Sequence, residues 1–294
     1  MLAEMDPHQP RKQVFATMEW VDVAGLCRGA YRGEGLGNRF LATIRDCHAM
    51  CHVVRVCLDK NTVHVDGRVD PKADIQAIHL ELLMADLEHV ERRLARTTCQ
   101  GKELHALEQV LVFLQRGLPA RKADLDPESL LSIKSMGLLT LKPVLYCFNV
   151  DEVDFTLART DALEQIDKIF RALKEEDDGF HLNNFALVSA KLESDLAQKS
   201  LHEQRAFLNK LGIDWGETVD LRSGADGFSS SVLPRMVKEL LDLSVVYTGP
   251  GVPPEKSLTT KTHLIRQGHI TADGLASRLH GDIQKGFIQA RLLN

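Results

Sequence analysis

Four short runs of apolar and β-branched residues predict the strands of a buried sheet, namely VFATMEWVDV at 14–23, CHVVRVCL at 51–58, PVLYCF at 143–148 and NFALV at 184–188. Runs of this kind are typical of strands in a parallel sheet that is covered on both faces. Helical patterns occupy residues 38–48, 72–96, 103–116, 157–174, 194–211 and 232–243. Because strands and helices alternate along the chain, the pattern predicts a doubly wound α/β domain.

One stretch interrupts this alternation and predicts a helical hairpin. Apolar residues recur there at steps of three and four, at Leu80, Leu83, Leu87, Val90 and Leu94, and again at Leu104, Leu107, Leu111, Leu114 and Leu118. This spacing gives each helix one apolar face, so we expect the two helices to pack against each other. Gly101 lies between them and Pro119 follows the second. We therefore expect residues 86–141 to form a hairpin inserted between two strands of the sheet.

The pattern changes again from Val245 onward. A Gly/Pro-rich segment, TGPGVPPEKS, precedes an alternating run, THLIRQGHI, a short helical signal at 272–279 and the strand-like GFIQARLL. This sequence pattern predicts a small α+β module at residues 245–294, separate from the main domain. No further strand follows GFIQARLL in this sequence, so we expect the module to be partial.

The charge balance narrows the classes of function. The 294 residues carry 36 Lys+Arg against 41 Asp+Glu, which excludes a basic protein that coats DNA or RNA. Any contact with RNA must be local. No apolar window is long enough to cross a membrane, and the first residues, MLAEMDPHQP, lack the apolar core of a secretory signal. The six cysteines contain no CxxC pair, which favours reduced thiols in a cytoplasmic protein.

Polar residues follow the predicted strands, at the edge where open α/β sheets bind their ligands. They are Asp22 and Gly25 after the first strand, Asn149 and Glu152 after the third, and Ser189, Ala190 and Lys191 after the fourth. A strand-end Asp with a Gly three residues later can hold a Mg²⁺-bound water and let a backbone N–H approach a γ-phosphate. An Asn followed by an acid can orient a purine, and the Ser-Ala-Lys turn can offer backbone amides to the base. Together these short matches predict a nucleoside triphosphate site with Mg²⁺ at Asp22.

Longer segments carry a resemblance to a known family. They are TMEWVDVAGLCRGAYRGEGLGNRFLATIRD, HVVRVCLDKNTVHVDGRVDPKADI, LTLKPVLYCFNVDE and VSAKLESDL. Together they resemble the YchF/Obg-like ATPase subfamily of translation-factor GTPases. The C-terminal YTGPG and HGDIQKGFIQA resemble the TGS module of the same family. The resemblance covers most of the chain.

This resemblance implies a fold, a division into domains and a function. Residues 14–85 and 142–244 correspond to an incomplete P-loop NTPase domain of the OBG-type G-domain class, and residues 86–141 to its inserted hairpin. Residues 245–294 correspond to a partial, β-grasp-like TGS domain. The family binds ATP or GTP with Mg²⁺, hydrolyses ATP and associates with ribosomes in the cytoplasm, so the resemblance implies these activities and the ribosome as partner.

The base-reading motif explains why the resemblance implies a preference for ATP. In a guanine-specific NKxD motif an Asp accepts hydrogen bonds from guanine N1 and N2, whereas Glu152 occupies that position here and Val150 replaces the Lys. The longer carboxylate misplaces this pair of bonds. Asn149 and Glu152 are therefore carried over as adenine-tolerant base contacts, beside the turn at 189–191.

The catalytic group is also taken from the resemblance. Related GTPases place a water-orienting Gln after DxxG, but Leu26 stands there and cannot orient water by hydrogen bonding. The family offers instead a His in the loop after the next strand, which matches His64 in NTVHVDG. A titratable imidazole at this place can orient or deprotonate the attacking water.

The sequence lacks the phosphate-binding motif of such a site. No GxxxxGK[ST] is present, and the glycine-rich GAYRGEGLGN has neither the Lys nor the Ser/Thr of a P-loop. Losing three charge-assisted hydrogen bonds would weaken nucleotide binding by at least about a thousandfold, so we expect hydrolysis to be nearly lost. In the G-domain arrangement the missing strand would lie between those predicted at 14–23 and 51–58, which either close up or leave a gap. This pattern suggests either a truncated gene product or an incomplete gene model.

A non-catalytic function is the alternative hypothesis. In it the hairpin and the partial TGS module dock on a ribosome or another partner without turnover of nucleotide. Arg92, Arg93 and Arg96 would lie on the outside of the hairpin as a candidate RNA contact, although three basic residues on an exposed helix are usually solvated charge. The segment CHAMCH at 47–52 lacks paired metal-ligand spacing, so we interpret its cysteines and histidines as packed residues.

Overall fold

The computed structural model describes residues 12–23, 36–56, 70–96, 98–150, 184–211, 229–248, 259–266, 271–279 and 281–288, with isolated positions between 167 and 174. The chain divides into two compact units. The central unit comprises Val21–Val237, and the terminal unit comprises Met1–Trp20 together with Lys238–Asn294. The finer division predicted from the sequence remains a prediction beside this grouping.

Strands and helices alternate through much of the described chain. The strands are β1 (Lys12–Val14), β2 (Met50–Arg55), β3 (Val144–Asn149), β4 (Phe185–Val188), β5 (Leu243–Thr248) and β6 (Thr259–Arg266). The helices are α1 (Leu36–Asp46), α2 (Pro71–Leu94), α3 (Gly101–Gln115), α4 (Pro127–Ile133), α5 (Ala190–Ala197), α6 (Leu201–Lys210), α7 (Ser229–Leu240), α8 (Ala272–Leu279) and α9 (Gly281–Lys285). Of these helices, none has both the length and the apolar character needed to span a bilayer.

A parallel sheet with the order β2-β3-β4 forms the core of the central unit. It confirms three of the four predicted strands and the α/β fold class. One face of the sheet carries Val54, Tyr146 and Phe148, which pack with Ile75 of α2 in a single apolar cluster. These side chains share a face because alternate residues of a strand point to the same side.

The remaining predicted strand, at 14–23 and the first in chain order, is wrong. Only β1 is extended there, and it pairs in parallel with β6 of the terminal unit. Residues 15–23 form no strand, and the side chains of Phe15 and Trp20 are exposed. An isolated strand is not stable without a hydrogen-bonded neighbour, and within the described part of the chain β2 pairs with β3 alone. The described residues of 14–23 therefore form no strand ladder with β2.

The hairpin consists of α2 and α3, as the leucine spacing predicts. α2 begins at Pro71, where the Asp70 carboxylate accepts a hydrogen bond from the Ala73 N–H at 3.1 Å. Both helices contribute to one apolar core, with buried Leu83, Val90, Leu107, Val110 and Leu114. The chain then returns to the sheet through α4, which the apolar pattern does not predict, and through short 3₁₀ turns at Lys134–Met136 and Leu139–Leu141.

The predicted helix at 194–211 is in fact two helices. α5 ends at Ala197 and α6 begins after Ser200. The Ser200 hydroxyl oxygen accepts a hydrogen bond from the Glu203 N–H, and the Glu203 carboxylate accepts one from the Ser200 N–H, which is a capping box. A capping box satisfies the first N–H groups of a helix, so it starts a new helix at this point.

The end of α7 also differs from the prediction. The helix was expected to reach residue 243, but it ends at Leu240, and Asp242 has a left-handed φ of 52°. Asp tolerates this conformation better than most residues, and the chain reverses here into β5, which is not predicted. The predicted helix at 38–48 is confirmed by α1, and the one at 157–174 lies largely outside the described residues.

The terminal unit contains a second sheet, with the order β1-β6-β5. β6 runs parallel to β1 and antiparallel to β5. The described part of the alternating run at 262–270 forms β6, and α8 coincides with the helical signal at 272–279. Residues 286–288, which open the predicted strand GFIQARLL, form no strand, and the end of that segment lies outside the described residues.

Candidate functional site

The carboxyl ends of β2, β3 and β4 lie side by side in the central unit. The register pairs Arg55 with Asn149, and Asn149 with Val188. One residue further on, the Val56 N–H donates to the Asn149 carbonyl at 2.9 Å, and the Val150 N–H donates to the Val188 carbonyl at 2.9 Å. These bonds hold the backbone of Asn149 between two neighbours, at the centre of the edge where parallel α/β sheets bind ligands.

The side chain of Asn149 is joined directly to the turn that follows β4. Its Oδ1 atom accepts a hydrogen bond from the Ala190 N–H at 2.9 Å. Ala190 is the first residue of α5, and the first N–H groups of a helix have no partner within the helix. The structure therefore brings together Asn149 and the turn at 189–191, as the order of the strands predicts.

Ser189 precedes α5 but does not cap it with its side chain. The residue is 2% exposed, and its Oγ atom has no hydrogen-bond partner in the described part of the chain. A buried hydroxyl without a partner costs about 1–3 kcal/mol, and such groups are rare in folded proteins. The corner formed by Asn149 and Ser189 thus has hydrogen-bonding capacity that no described residue uses. The remaining groups are the Nδ2 donors of Asn149 and the Ser189 hydroxyl.

The other predicted site residues are less closely defined. Lys191 lies in the first turn of α5 with an exposed side chain. Asp22 is exposed and lies outside any helix or strand, next to the partly buried Val23. No hydrogen bond or ion pair among the described residues joins Asp22 to the Asn149 corner. Three predicted residues lie outside the described residues: Gly25, His64 and Glu152.

Two thiols line the same side of the sheet as Asn149. Cys147 precedes Asn149 by two residues on β3, and its thiol forms a hydrogen bond with that of Cys51 on β2. This bond lowers the pKa of Cys51, whereas the bond and then burial raise the pKa of Cys147. Cys147 is therefore a neutral thiol at physiological pH and adds no charge to the site. The nearby Cys47 thiol donates instead to the Thr43 carbonyl at 3.4 Å.

Three rings pack together on the opposite face of the sheet. His79 Nε2 and the Tyr146 hydroxyl oxygen lie 2.8 Å apart, and the centres of the His52 and Tyr146 rings are 5.8 Å apart. Burial, together with the neighbouring His79, lowers the pKa of His52 to about 4. Cys51 and His52 of the CHAMCH segment thus lie on opposite faces of the sheet, and Cys47 and His48 precede β2. No group of three or more His, Cys, Asp or Glu side chains within the described ranges is arranged to hold a metal ion.

The arginines of the hairpin do not form one shared basic face. Arg93 donates through Nε and Nη2 to both carboxylate oxygens of Glu103, at 2.7 and 2.6 Å, and through Nη1 to Thr98 Oγ1 at 2.9 Å. The hydrogen bonds with Glu103 raise the pKa of Arg93 and lower that of Glu103. Arg93 is therefore engaged within the hairpin, which corrects its predicted place beside the exposed Arg92 and Arg96.

The fold and the strand-end corner together define a class of protein. Parallel strands alternate with helices, and an Asn at the end of β3 is bonded to the first turn of the helix after β4. This arrangement is that of the α/β nucleotide-binding proteins that include the P-loop NTPases.

Comparison with known proteins identifies the family within this class. The chain is 35% identical over 289 residues to the "Ribosome-binding ATPase YchF" of Bacillus subtilis, covering 96% of this chain and 72% of that protein. It is also 35% identical over 294 residues to the protein of the same name from Haemophilus influenzae, covering 97% and 73%. The solved structure of the Schizosaccharomyces pombe YchF GTPase matches with a TM-score of 0.73 at 28% identity, covering 98% of this chain and 72% of that one. No protein-family model matches the sequence. The chain belongs to the YchF family, so the resemblance seen in the sequence is confirmed.

Proposed function

We propose that this protein binds purine nucleotides and associates with ribosomes, and that Asn149 and the turn at 189–191 contact the base. The observation that carries the proposal is the hydrogen bond from the Ala190 N–H to Asn149 Oδ1 at 2.9 Å. Because Oδ1 is the engaged atom, Nδ2 is the atom of this side chain that remains for a ligand, and it is a donor. Both adenine and guanine present an acceptor at N7, so this contact admits either base.

The remaining roles rest on the family pattern. Glu152 in place of Asp would favour adenine over guanine, and relatives named as ribosome-binding ATPases support ATP as the nucleotide. Asp22 offers a carboxylate, which is a ligand type that Mg²⁺ prefers, and Gly25 would let the backbone approach the γ-phosphate. His64 would orient the attacking water. Bound Mg²⁺ would supply neutralisation of charge on the phosphates.

We further propose that the polypeptide of 294 residues binds ATP weakly and hydrolyses it slowly. Its sequence contains no GxxxxGK[ST] motif, so the backbone cradle, the Lys and the Ser/Thr that hold the β- and γ-phosphates in P-loop proteins have no counterpart in it. Contacts of the nucleotide base with Asn149 and the turn at 189–191 would then supply most of the affinity for ATP. Affinity for ATP and for other purine nucleotides should consequently depend strongly on Asn149.

Competition binding with a fluorescent ATP analogue tests the base site. The Asn149→Ala variant should bind about tenfold more weakly, the value of one good hydrogen bond, because it loses both the Nδ2 donor and the bond that fixes Ala190. The matched control is Asn209→Ala, since Asn209 is exposed on α6. Equal affinity of Asn149→Ala and the control would refute the base site. Micromolar binding by the unmodified chain would refute the proposed weakness.

A second function, docking without turnover, is favoured by the surface of the hairpin. Arg92 on α2 and Arg96, two residues beyond the end of that helix, are exposed, while Arg93 is held by Glu103. Sedimentation with ribosomes, with and without ATP, separates the two functions. A docking protein should pellet equally in both conditions and lose binding when Arg92 and Arg96 are both changed to Glu, whereas a switch protein should respond to ATP. Lys210→Glu on α6 is the control for a change of charge alone.

A further inference from the structure

Two basic side chains, those of Arg45 and Lys142, lie at the amino ends of β2 and β3. Arg45 Nη1 donates to Asp86 Oδ1 at 3.0 Å and to the Gly137 carbonyl at 3.1 Å. Lys142 Nζ donates to the carbonyls of Arg45 and Cys47 at 2.7 and 2.6 Å, where the dipole of α1 favours a positive charge. Gly137 has a left-handed φ of 56°, and a Cβ atom there would lie 3.1 Å from the Arg45 carbonyl oxygen, so the close approach requires glycine. We call the contacts of Arg45, Asp86, Gly137 and Lys142 the base joint.

The carboxylate of the base joint is satisfied by protein donors. Asp86 on α2 is 0% exposed. Besides Arg45, its Oδ1 atom accepts from the Leu139 N–H at 2.9 Å, and its Oδ2 atom accepts from the N–H and the hydroxyl of Thr140 at 2.7 and 2.8 Å. A buried charge is tolerated in a protein when it is paired and hydrogen-bonded in this way. The base joint therefore uses its cations within the fold.

Arg55 lies at the opposite end of the same sheet, as the last residue of β2. The strand begins at Met50, so at about 3.3 Å per residue Arg55 is about 17 Å from the end that carries the base joint. The register pairs Arg55 with Asn149 on β3. Residues paired in this way share a face of the sheet, and neighbouring strands lie about 4.8 Å apart. Arg55 is thus one strand spacing from the side chain proposed to contact the base.

The face of β2 that carries Arg55 is open to solvent. Val53, two residues earlier and therefore on the same face, is 64% exposed. Val54, on the opposite face, is only 2% exposed. Arg55 itself is partly exposed. A ligand bound at Asn149 can therefore extend over the end of β2 without displacing the core.

We infer that Arg55 binds the phosphate group nearest the ribose of a purine nucleotide whose base contacts Asn149. A guanidinium presents parallel N–H donors that match two oxygens of a phosphate group. The inference rests on the proposed function, because it requires the base at the Asn149 corner. Arg55 supplies a positive charge in a sequence that has no P-loop Lys. It distinguishes nucleotides from nucleosides, which a contact with the base alone does not.

Titrations of AMP and adenosine into the full chain, followed by the Ala190 amide signal in a ¹H–¹⁵N spectrum, test this contact. Arg55→Gln removes the charge and should weaken binding of AMP about fivefold, as expected for one partly exposed ion pair, while binding of adenosine should not change. Arg55→Lys keeps a charge without the fork of donors, so AMP should lose only about twofold. Arg116→Gln is the matched control, since Arg116 is exposed just beyond the end of α3.

Two outcomes would overturn the inference alone. One is equal affinity for AMP in Arg55→Gln and Arg116→Gln. The other is an equal loss for AMP and adenosine in Arg55→Gln, which would mean that Arg55 only shapes the corner. Where Arg55→Gln does not fold, added salt should weaken AMP but not adenosine in the unmodified chain, and an equal response of both would also overturn it. A failure of the proposed base site looks different, since neither ligand would then shift the Ala190 signal in a saturable manner, and the inference would fall with it.

Discussion

Two polar clusters lie at the ends of helices and strands: the base joint (Arg45, Asp86, Gly137 and Lys142) and the corner formed by Asn149 and Ser189. The two clusters differ in how far their hydrogen-bonding groups are satisfied by the protein. At the joint, both carboxylate oxygens of Asp86 are occupied by protein donors, and Lys142 caps α1. At the corner, Asn149 Oδ1 accepts a hydrogen bond from the Ala190 N–H, and the buried Ser189 hydroxyl has no partner among the described residues. A polar cluster that is fully satisfied internally stabilises the fold, whereas one with unused donors is suited to bind a ligand.

The largest effect should come from breaking the joint. Asp86→Ala leaves the Arg45 guanidinium and the N–H groups of Leu139 and Thr140 without their acceptor, and the carboxylate that it removes is fully buried. We expect the free energy of unfolding to fall by about 3–5 kcal/mol, the range for a broken buried pair. Urea unfolding followed by circular dichroism measures the loss.

The matched control for this prediction is Glu103→Ala, which removes the ion pair with Arg93 that lies nearer the surface. Its effect on the free energy of unfolding should be clearly smaller, because Glu103 is partly exposed, unlike Asp86, and water can take the place of the lost carboxylate. If the two variants lose equal stability, Asp86 has no special structural role and the comparison between joint and corner fails.

The next effect comes from a partly buried ring, His52, that has no ion pair among the described residues. The pKa of His52 is about 4 in the folded protein, because of burial and then His79, against about 6.5 when unfolded. The unfolded state therefore binds more protons between these values, so the stabilising contribution is full above pH 6.5 and is lost as the pH falls toward 4. The free energy of unfolding should drop by about 3 kcal/mol over that window because of His52.

Unfolding measured at several pH values in the unmodified chain and in His52→Phe isolates this contribution from that of the carboxylates. The difference in stability between the two proteins should change by about 3 kcal/mol from pH 6.5 to 4. Parallel pH profiles would show that His52 titrates normally in the folded protein.

The smallest effect should come from the corner itself. Ser189→Ala removes a buried hydroxyl that has no partner among the described residues, so we expect unchanged stability or a gain of up to about 1 kcal/mol. Thermal unfolding measures the difference. A fall of more than about 1 kcal/mol in the free energy of unfolding would mean that the Ser189 hydroxyl stabilises the fold, as the Asp86 carboxylate does. The corner would then no longer differ from the base joint.

The sequence predicts those parts of the molecule that local pattern decides. The leucine spacing locates α2 and α3, and the apolar runs locate β2, β3 and β4 within a few residues. Because parallel strands present their carboxyl ends together, the meeting of Asn149 with Ala190 follows from the order of the strands. The hydrogen-bonding partner of a strand can lie far away in the sequence. The apolar run at 14–23 therefore does not show that the strand in this region would be β1, at Lys12–Val14, or that it would pair with β6.

The base joint lies beyond this kind of prediction for a related reason. One signal was present, since Asp86 falls on the buried face of α2, three residues after Leu83 and four before Val90. An acid at an apolar helical position indicates a buried partner. The partner is not identifiable from spacing, because Arg45 and Thr140 are separated from Asp86 by 41 and 54 residues.

The position of the Ala190 amide signal in a ¹H–¹⁵N spectrum tests the proposed base site most directly, because this N–H is the donor to Asn149 Oδ1. Mg²⁺–ATP and tripolyphosphate, which has no base, are titrated separately into the protein. A base site at Asn149 requires that ATP shifts the Ala190 signal in a saturable manner, that tripolyphosphate does not, and that the shift is lost in Asn149→Ala. A signal that stays in place with ATP, or that moves equally with tripolyphosphate, would contradict it.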